Sequence, residues 1–406
     1  MLKYIIPSLL AFLFLFSCSQ EEKHVYKDIE KQLLTQFIAV ADGGIIEIPE
    51  GYYRFKGSLS LEGKKNITIR GKGKDKTVLS WKGQKDGSEG FKITNGENIL
   101  IENLTIQDTK GDGVKTQKIK GITFRNVKAE WTGEPNEKNG SYGFYPVDCD
   151  NVLVEGCESI GASDAGIYVG QSRNVVVRKC SVFHNVAGIE IENCRNAEVY
   201  DNLAEQNTGG ILVFDMPGLT QTGKEVRVFK NMVKKNNFKN FAPKGNIVGT
   251  VPPGTGIMVV ATNYVEIFDN DIVGNKTLGA CVASFLISGF EIKDTTFDPY
   301  PKSIYIHDNR FKRGFRLPTL QNDMGKLLAL RFWFWPPDVI YDGMVDPKAL
   351  DANGKVKEEY RICVRNNGDI KVANVDAKND FKGVNTDPKQ FDCSAPNVAP
   401  IAFKPN

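Results

Sequence analysis

A chain of 406 residues, 41% hydrophobic and 25% charged, can bury a large core and is too balanced for a disordered polymer. Its 52 Lys and Arg against 49 Asp and Glu leave a net charge of +3 with no stretch that gathers the excess, so the basic stripe that nucleic acid requires is absent. Three histidines and no C-x-x-C or H-E-x-x-H pattern argue against zinc; no metal and no cofactor is assigned, and Ca²⁺, though compatible, has no supporting motif.

The chain opens with Lys3 and an apolar run over residues 4–16, too short to span a bilayer as a mature helix, then Leu15-Phe16-Ser17-Cys18. That order resembles a lipoprotein signal. The resemblance implies that residues 1–17 are removed, that Cys18 carries the lipid, and that the protein is exported to the cell envelope, held to the outer membrane by acyl chains. The acidic Ser19-Gln20-Glu21-Glu22 is similar to surface-export tags of some Gram-negative lipoproteins. Export would place the seven remaining cysteines in an oxidising compartment, where an odd number leaves at least one unpaired.

Residues 18–41 are expected to form a tether and a cap helix, since Ile29, Leu33, Leu34, Phe37 and Ile38 stand at helical spacing. From residue 42 to 320 a repeat dominates. Heptads such as NITIRGK (66–72), NVLVEGC (151–157), NVVVRKC (174–180) and YVEIFDN (264–270) carry aliphatic residues at positions two and four, the alternation of a half-buried strand. Starts at 151, 174 and 196 lie 23 and 22 residues apart, and longer gaps elsewhere hold loops. A second short strand follows a glycine in each unit: GFYP (143–146), GIYV (166–169), GIEI (188–191), GILV (210–213). Two or three strands per unit, without helical periodicity between them, predict an all-β, right-handed, single-stranded parallel β-helix of about ten coils. Propeller blades need about 40 residues and antiparallel strands, which fits poorly.

The seventh heptad position reads Cys157, Cys180, Asn202, Asn231, Asn270, Asn309 and Asn367, a column expected to stack amides and satisfy turn groups. Residues 321–406 are expected to hold the C-terminal cap and a final coil, with the apolar stretch 327–335 as core or cap. In the heptad at 361–367 the alternation turns Cys363 outward, where a disulfide to Cys393 could staple the tail. Cys149 and Cys194 fall two coils apart, about 9–10 Å, beyond disulfide reach.

Equivalent outward positions of successive coils make a straight groove suited to an extended ligand. Two residues after the recurring glycine stand Lys92, Lys115, Tyr145, Tyr168, Glu190, Leu212 and Met258; two further on stand Thr94, Gln117, Val147, Gly170, Glu192, Phe214 and Val260. Lysines, tyrosines and acids gather in coils three to six and give way to apolar residues, between loops 132–141, 217–224 and 236–255. A plain solvated face would also carry Lys and Glu. His184 reads as a turn residue rather than a base.

Ser141-Tyr142-Gly143-Phe144-Tyr145-Pro146-Val147-Asp148 resembles the Tyr-Gly-Phe-Asp-Pro-His-Asp segment of the β-helical mannuronan C5-epimerases. Tyr145 replaces the aspartate and Val147 the histidine, so that proton transfer does not carry over. Through residues 163–172, 188–193 and 209–215 the chain more closely resembles the right-handed β-helix-repeat lipoproteins. This resemblance implies the fold and, loosely, the carbohydrate-active β-helix superfamily, with a polysaccharide as partner, and supplies no reaction. Two schemes remain open. In a lyase or epimerase, the leading reading, Lys115, Tyr145 and Tyr168 would abstract a proton beside a neutralised uronate carboxylate. In a hydrolase, Glu190, Glu192 and Asp215 would supply two carboxyl groups. A non-catalytic glycan-binding lipoprotein is the third reading.

Overall fold

In the computed structural model, residues 24–312, 314, 317–333 and 335–403 are described; Cys18 and the apolar run before it lie outside them. The heptads form strands because their aliphatic positions fill one interior column: Val152, Val175, Ala197, Val226, Val265 and Ile304 pair in parallel register and are completely buried. These strands begin at Ile45–Glu47 and end at Ile362–Arg365. The strands after the recurring glycines make a second parallel sheet of eleven, from Gly57–Glu62 to Val372–Asn374. Short third strands, such as Glu158–Ile160 and Leu203–Glu205, complete each coil. The chain is a right-handed parallel β-helix whose second sheet counts eleven rungs, where the sequence suggested about ten coils.

Each corner after a heptad is turned by one residue in the left-handed region, with Asp201, Lys230, Asp269 and Asp308 at φ of 54°, 54°, 54° and 52°. The next residue then points into the corner and must satisfy it. Asn202 Nδ2 donates to Asn231 Oδ1 (3.0 Å), Asn231 to Asn270 (2.9 Å), Asn270 to Asn309 (2.9 Å) and Asn309 to Asn367 (3.0 Å). A second ladder runs at the following corner, with Asn185 donating to Asn207 (3.0 Å), Asn207 to Asn236 (3.0 Å) and Asn236 to Asn275 (3.2 Å). Its signal was the N-x4-N spacing of Asn202 and Asn207, Asn231 and Asn236, and Asn270 and Asn275.

Helix α1, Glu30–Ala39, lays Leu33 and Phe37 over the first coils, with Phe37 5.7 Å from Phe91. Only that i, i+4 pair is fully covered: Ile38, expected on the packed face, is 78% exposed because it stands one residue on from Phe37 and so turns about 100° away from the packed face. Helix α2, Asp323–Phe332, begins at Asn322, whose side chain accepts from Gly325 N–H at 2.9 Å. The apolar stretch it contains does not close the end of the solenoid. It lies along the outer face of the second sheet, where Leu328 packs with Leu278, Ile340 and Ala373. Beyond it the chain adds the rungs Val339–Tyr341, Ile362–Arg365 and Val372–Asn374. The Cys363–Cys393 disulfide and the buried Phe391 hold the tail to the last coil. The tail then runs back along the heptad sheet, donating from Val398 N–H to Glu266 (3.1 Å) and from Ile401 N–H to Glu198 (3.2 Å). Cys149, Cys157, Cys180, Cys194 and Cys281 are buried thiols. Among the described residues no helix is long and apolar enough to cross a membrane.

Candidate active site

The outward columns of the second sheet stack in register: Lys115 beside Tyr145, Tyr168 beside Glu190, Gly170 beside Glu192, and Glu192 beside Phe214. Strands Val114–Gln117, Tyr142–Val147, Ala165–Gly170 and Ala187–Glu192 therefore bring Lys115, Tyr145, Tyr168, Glu190 and Glu192 to one face. That face is not open to solvent at every position. The loop over residues 236–255 folds back on it, and Phe241, Val248 and Val251 pack with Tyr168, Leu212 and Phe214 in one apolar cluster. Under this roof Tyr168 is 4% exposed and Glu190 3%, while Lys115, Tyr142, Tyr145 and Glu192 stay half-buried on the open side.

Three tyrosine rings meet there, with centroids 4.5 Å apart for Tyr142 and Tyr145, 4.7 Å for Tyr142 and Tyr168, and 4.9 Å for Tyr145 and Tyr168. Lys115 Nζ stands 5.0 Å above the Tyr145 ring, a cation–π contact. Tyr168 Oη donates to Glu192 Oε1 at 2.6 Å. Gly170 makes this possible: a Cβ there would run into the Tyr168 hydroxyl and ring, so only glycine lets the phenol lie down toward Glu192.

Three residues that the outward columns did not include complete the cluster. Asp112, Tyr142 and Asp164 lie just before the recurring glycines, and Tyr142 stacks on Tyr145 three residues away, which strict alternation forbids. Tyr142 and Phe144 pair with Ala165 and Ile167 at one offset of 23 residues, so the strands stay in register across the glycine. The ring stacking itself places Tyr142 on the outer side with Tyr145. Asp164 accepts from Asn246 Nδ2 at 3.0 Å, which ties the loop to the cluster.

Burial and mutual repulsion set the electrostatics. Desolvation pushes the Asp164 carboxyl up to about 7, with Glu192 adding repulsion, and desolvation together with the charges of Asp164 and Glu192 carries Glu190 well above the carboxylate range. Glu190 Oε2 is buried without a hydrogen-bond partner. Desolvation also raises Glu192, against the Tyr168 hydrogen bond, and lifts Asp112 to about 6 despite Lys115. The same burial raises Tyr145 to about 12 and holds the Tyr142 and Tyr168 hydroxyls above their ordinary range.

Asp215 stands apart from this group. It accepts from Gly223 N–H (2.7 Å) and Thr262 Oγ1 (3.2 Å), bracing the loop over residues 217–224, and burial brings it to about 7. His184 sits at a turn with φ of 53° and bonds Gln206 at 2.7 Å. Among the described residues no group of three or more His, Cys, Asp or Glu side chains is arranged to hold a metal ion.

Solenoid and site together define a β-helix with a protonatable carboxyl and tyrosine cluster on one outer face. Residues 65–221 match the family described as the right handed beta helix region. Among solved structures, the chain is similar to the A-module of the Azotobacter vinelandii mannuronan C-5 epimerase AlgE4, at 15% identity over 72% of this chain and 86% of that one, with a TM-score of 0.49. It is also similar to the alginate lyase AlyF-OU02 (13% identity, 83% and 67% covered, TM-score 0.40) and to the DFA-IIIase of Arthrobacter chlorophenolicus A6 (11% identity, 77% and 87% covered, TM-score 0.44). None of the curated proteins compared matches the chain.

Proposed function

We propose that the protein acts on a glycan and cleaves a glycosidic bond with its carboxyl groups as acid and base. The observation that carries this reading is Glu190, a buried carboxyl whose Oε2 has no hydrogen-bond partner and whose proton affinity is raised by burial and by the charges of Asp164 and Glu192. Such a group is a general acid. Its neighbour two residues on, Glu192, receives the Tyr168 hydroxyl, which favours its ionised form and suits it to serve as the base or nucleophile. Protonated Glu190 would give its proton to the leaving oxygen, and water would add at the anomeric carbon with its proton passing to a carboxylate. The half-buried Tyr142 and Tyr145 offer aromatic surface to the apolar side of a sugar ring.

A lyase or epimerase reading keeps one observation in its favour, Lys115 Nζ beside the Tyr145 ring, a cation placed to neutralise a uronate carboxylate. A tyrosine raised to about 12 is a poor base, which favours the carboxyl scheme. Incubation with acidic and neutral polysaccharides separates the readings: new reducing ends without ultraviolet-absorbing unsaturated ends support carboxyl-based hydrolysis, unsaturated ends support the lyase, and binding without product supports a glycan-binding protein.

Export and a lipid anchor on Cys18 complete the proposal, supported by the sequence order over residues 4–18. Cys18→Ala should move the protein from the membrane fraction to the soluble one.

A further inference from the structure

Next to the carboxyl cluster, on the same outer face, the character of the surface changes within one rung. Glu192 pairs in register with Phe214, and Phe214 is the first wall of an apolar cavity of about 800 Å³. Its floor is the second sheet, through Met258, Cys281 and Ile340; its sides come from the 236–255 loop and from Met324 and Leu327 of α2. The floor crosses four rungs, from Gly209–Phe214 to Val339–Tyr341, a length of about 14 Å at ~4.8 Å per rung. Asp342 in the lining is already satisfied, accepting from Ser284 N–H (2.6 Å) and Met344 N–H (2.9 Å). The lining is mostly apolar, with Gln321, Asn322 and Asp323 among its few polar residues, a surface that suits an alkyl chain better than a sugar.

A second observation points the same way. The element that walls the cavity with Met324 and Leu327 turns other apolar side chains outward: Leu330 is 77% exposed, and Trp333 and Trp335 just beyond the helix are 69% and 55% exposed. Exposed Trp and Leu clustered on one short segment, with Arg331 beside them, is the composition of a surface that meets a lipid–water interface.

We infer that the cavity receives the hydrocarbon chain of an amphiphilic glycan, placing its sugar head on the open side of the carboxyl cluster, beside Glu192. The inference rests on the glycan-acting reading for the head group, while the cavity itself is tested by binding alone. The probes are alkyl maltosides from hexyl to dodecyl, each kept below its critical micelle concentration, titrated into the folded chain by calorimetry. Affinity should rise roughly fourfold per added methylene while the chain fills the cavity. Ala283→Trp on the floor and Leu327→Arg on the wall should each abolish that rise; the two sites are independent, and a melting curve confirms that each variant folds. Trp333→Ala with Trp335→Ala should preserve it. Affinity independent of chain length overturns the inference, as does a dependence that survives both cavity substitutions or vanishes only when the two tryptophans are removed. Soluble oligosaccharides titrated into the same proteins report on the head-group site separately, so a failed glycan reading leaves an intact chain-length dependence visible.

Discussion

Tyr168 and Glu192 stand on adjacent rungs, and the tyrosine hydroxyl donates to the carboxylate at 2.6 Å across a position that glycine alone can occupy. The hydrogen bond opposes the desolvation that raises Glu192. Tyr168→Phe removes it without vacating the ring's space, so the acid limb of the pH–activity profile should move to higher pH and turnover should fall about tenfold or more. Gly170→Ala should produce the same shift by displacing the ring, with the fold retained. An unmoved acid limb in both variants, measured against a cleavable glycan, would separate Tyr168 from the chemistry.

The raised carboxyl groups also set how stability depends on pH. Unfolded Asp and Glu lose their protons near pH 4, whereas Asp164 and Asp215 hold theirs to about 7 in the folded protein and Glu190 holds its own well above the ordinary range. Between these limits the folded state binds more protons than the unfolded one. The contribution is therefore fully present below about pH 4 and is lost as pH rises through about 7. Carboxylates lowered by ion pairs, such as Glu47 with Lys72, act in the opposite sense and only at the acid end. Glu190→Gln should abolish activity yet stabilise the protein at pH 7.5, and flatten the fall in urea midpoint as pH rises above the ordinary carboxylate range. A variant less stable than the parent at pH 7.5 would show that Glu190 is not held against its charge.

The two asparagine ladders carry a different expectation. Asn231 accepts from Asn202, donates to Asn270 and to Val199 O (2.9 Å), so Asn231→Leu leaves several buried turn groups without partners. A loss of about 1–3 kcal/mol is expected, and Asn207→Leu in the second ladder should match it. Thermal melts of both variants decide this, while glycan cleavage should survive because neither residue touches the carboxyl cluster. An unchanged melting temperature would remove the ladders from the account of stability.

Much of the scaffold was legible because a solenoid writes its register repeatedly: the aliphatic columns, the recurring glycine and the Asn202-to-Asn367 ladder each recur at the spacing of a coil. The site was legible in part. Lys115, Tyr145, Tyr168, Glu190 and Glu192 follow from alternation within a strand. Asp112 and Tyr142 did not, because they stand three residues from the outward Lys115 and Tyr145, and Asp164 did not because it precedes the strand Ala165–Gly170, where no period reaches. The roof over Tyr168 and Glu190 was also hidden. A loop's sequence shows its length, and where Asn246, Val248 and Val251 land depends on tertiary packing alone. Asp215 shares the acidic character of the cluster, but its bonds to Gly223 and Thr262 belong to loop closure. The apolar stretch of α2 read as core or cap because hydropathy does not say which side of a sheet a helix will cover.

On the proposed mechanism Glu190 donates a proton to a glycosidic oxygen. Product analysis of the parent and Glu190→Gln proteins, run on one panel of acidic and neutral polysaccharides with reducing ends and unsaturated ends read together, tests it most directly. The parent should release reducing ends without unsaturated ends from at least one polysaccharide, and Glu190→Gln should lose at least a thousandfold of that rate while still binding the same glycan. Unsaturated products from the parent, or a Glu190→Gln protein that cleaves at the parent rate, would contradict it.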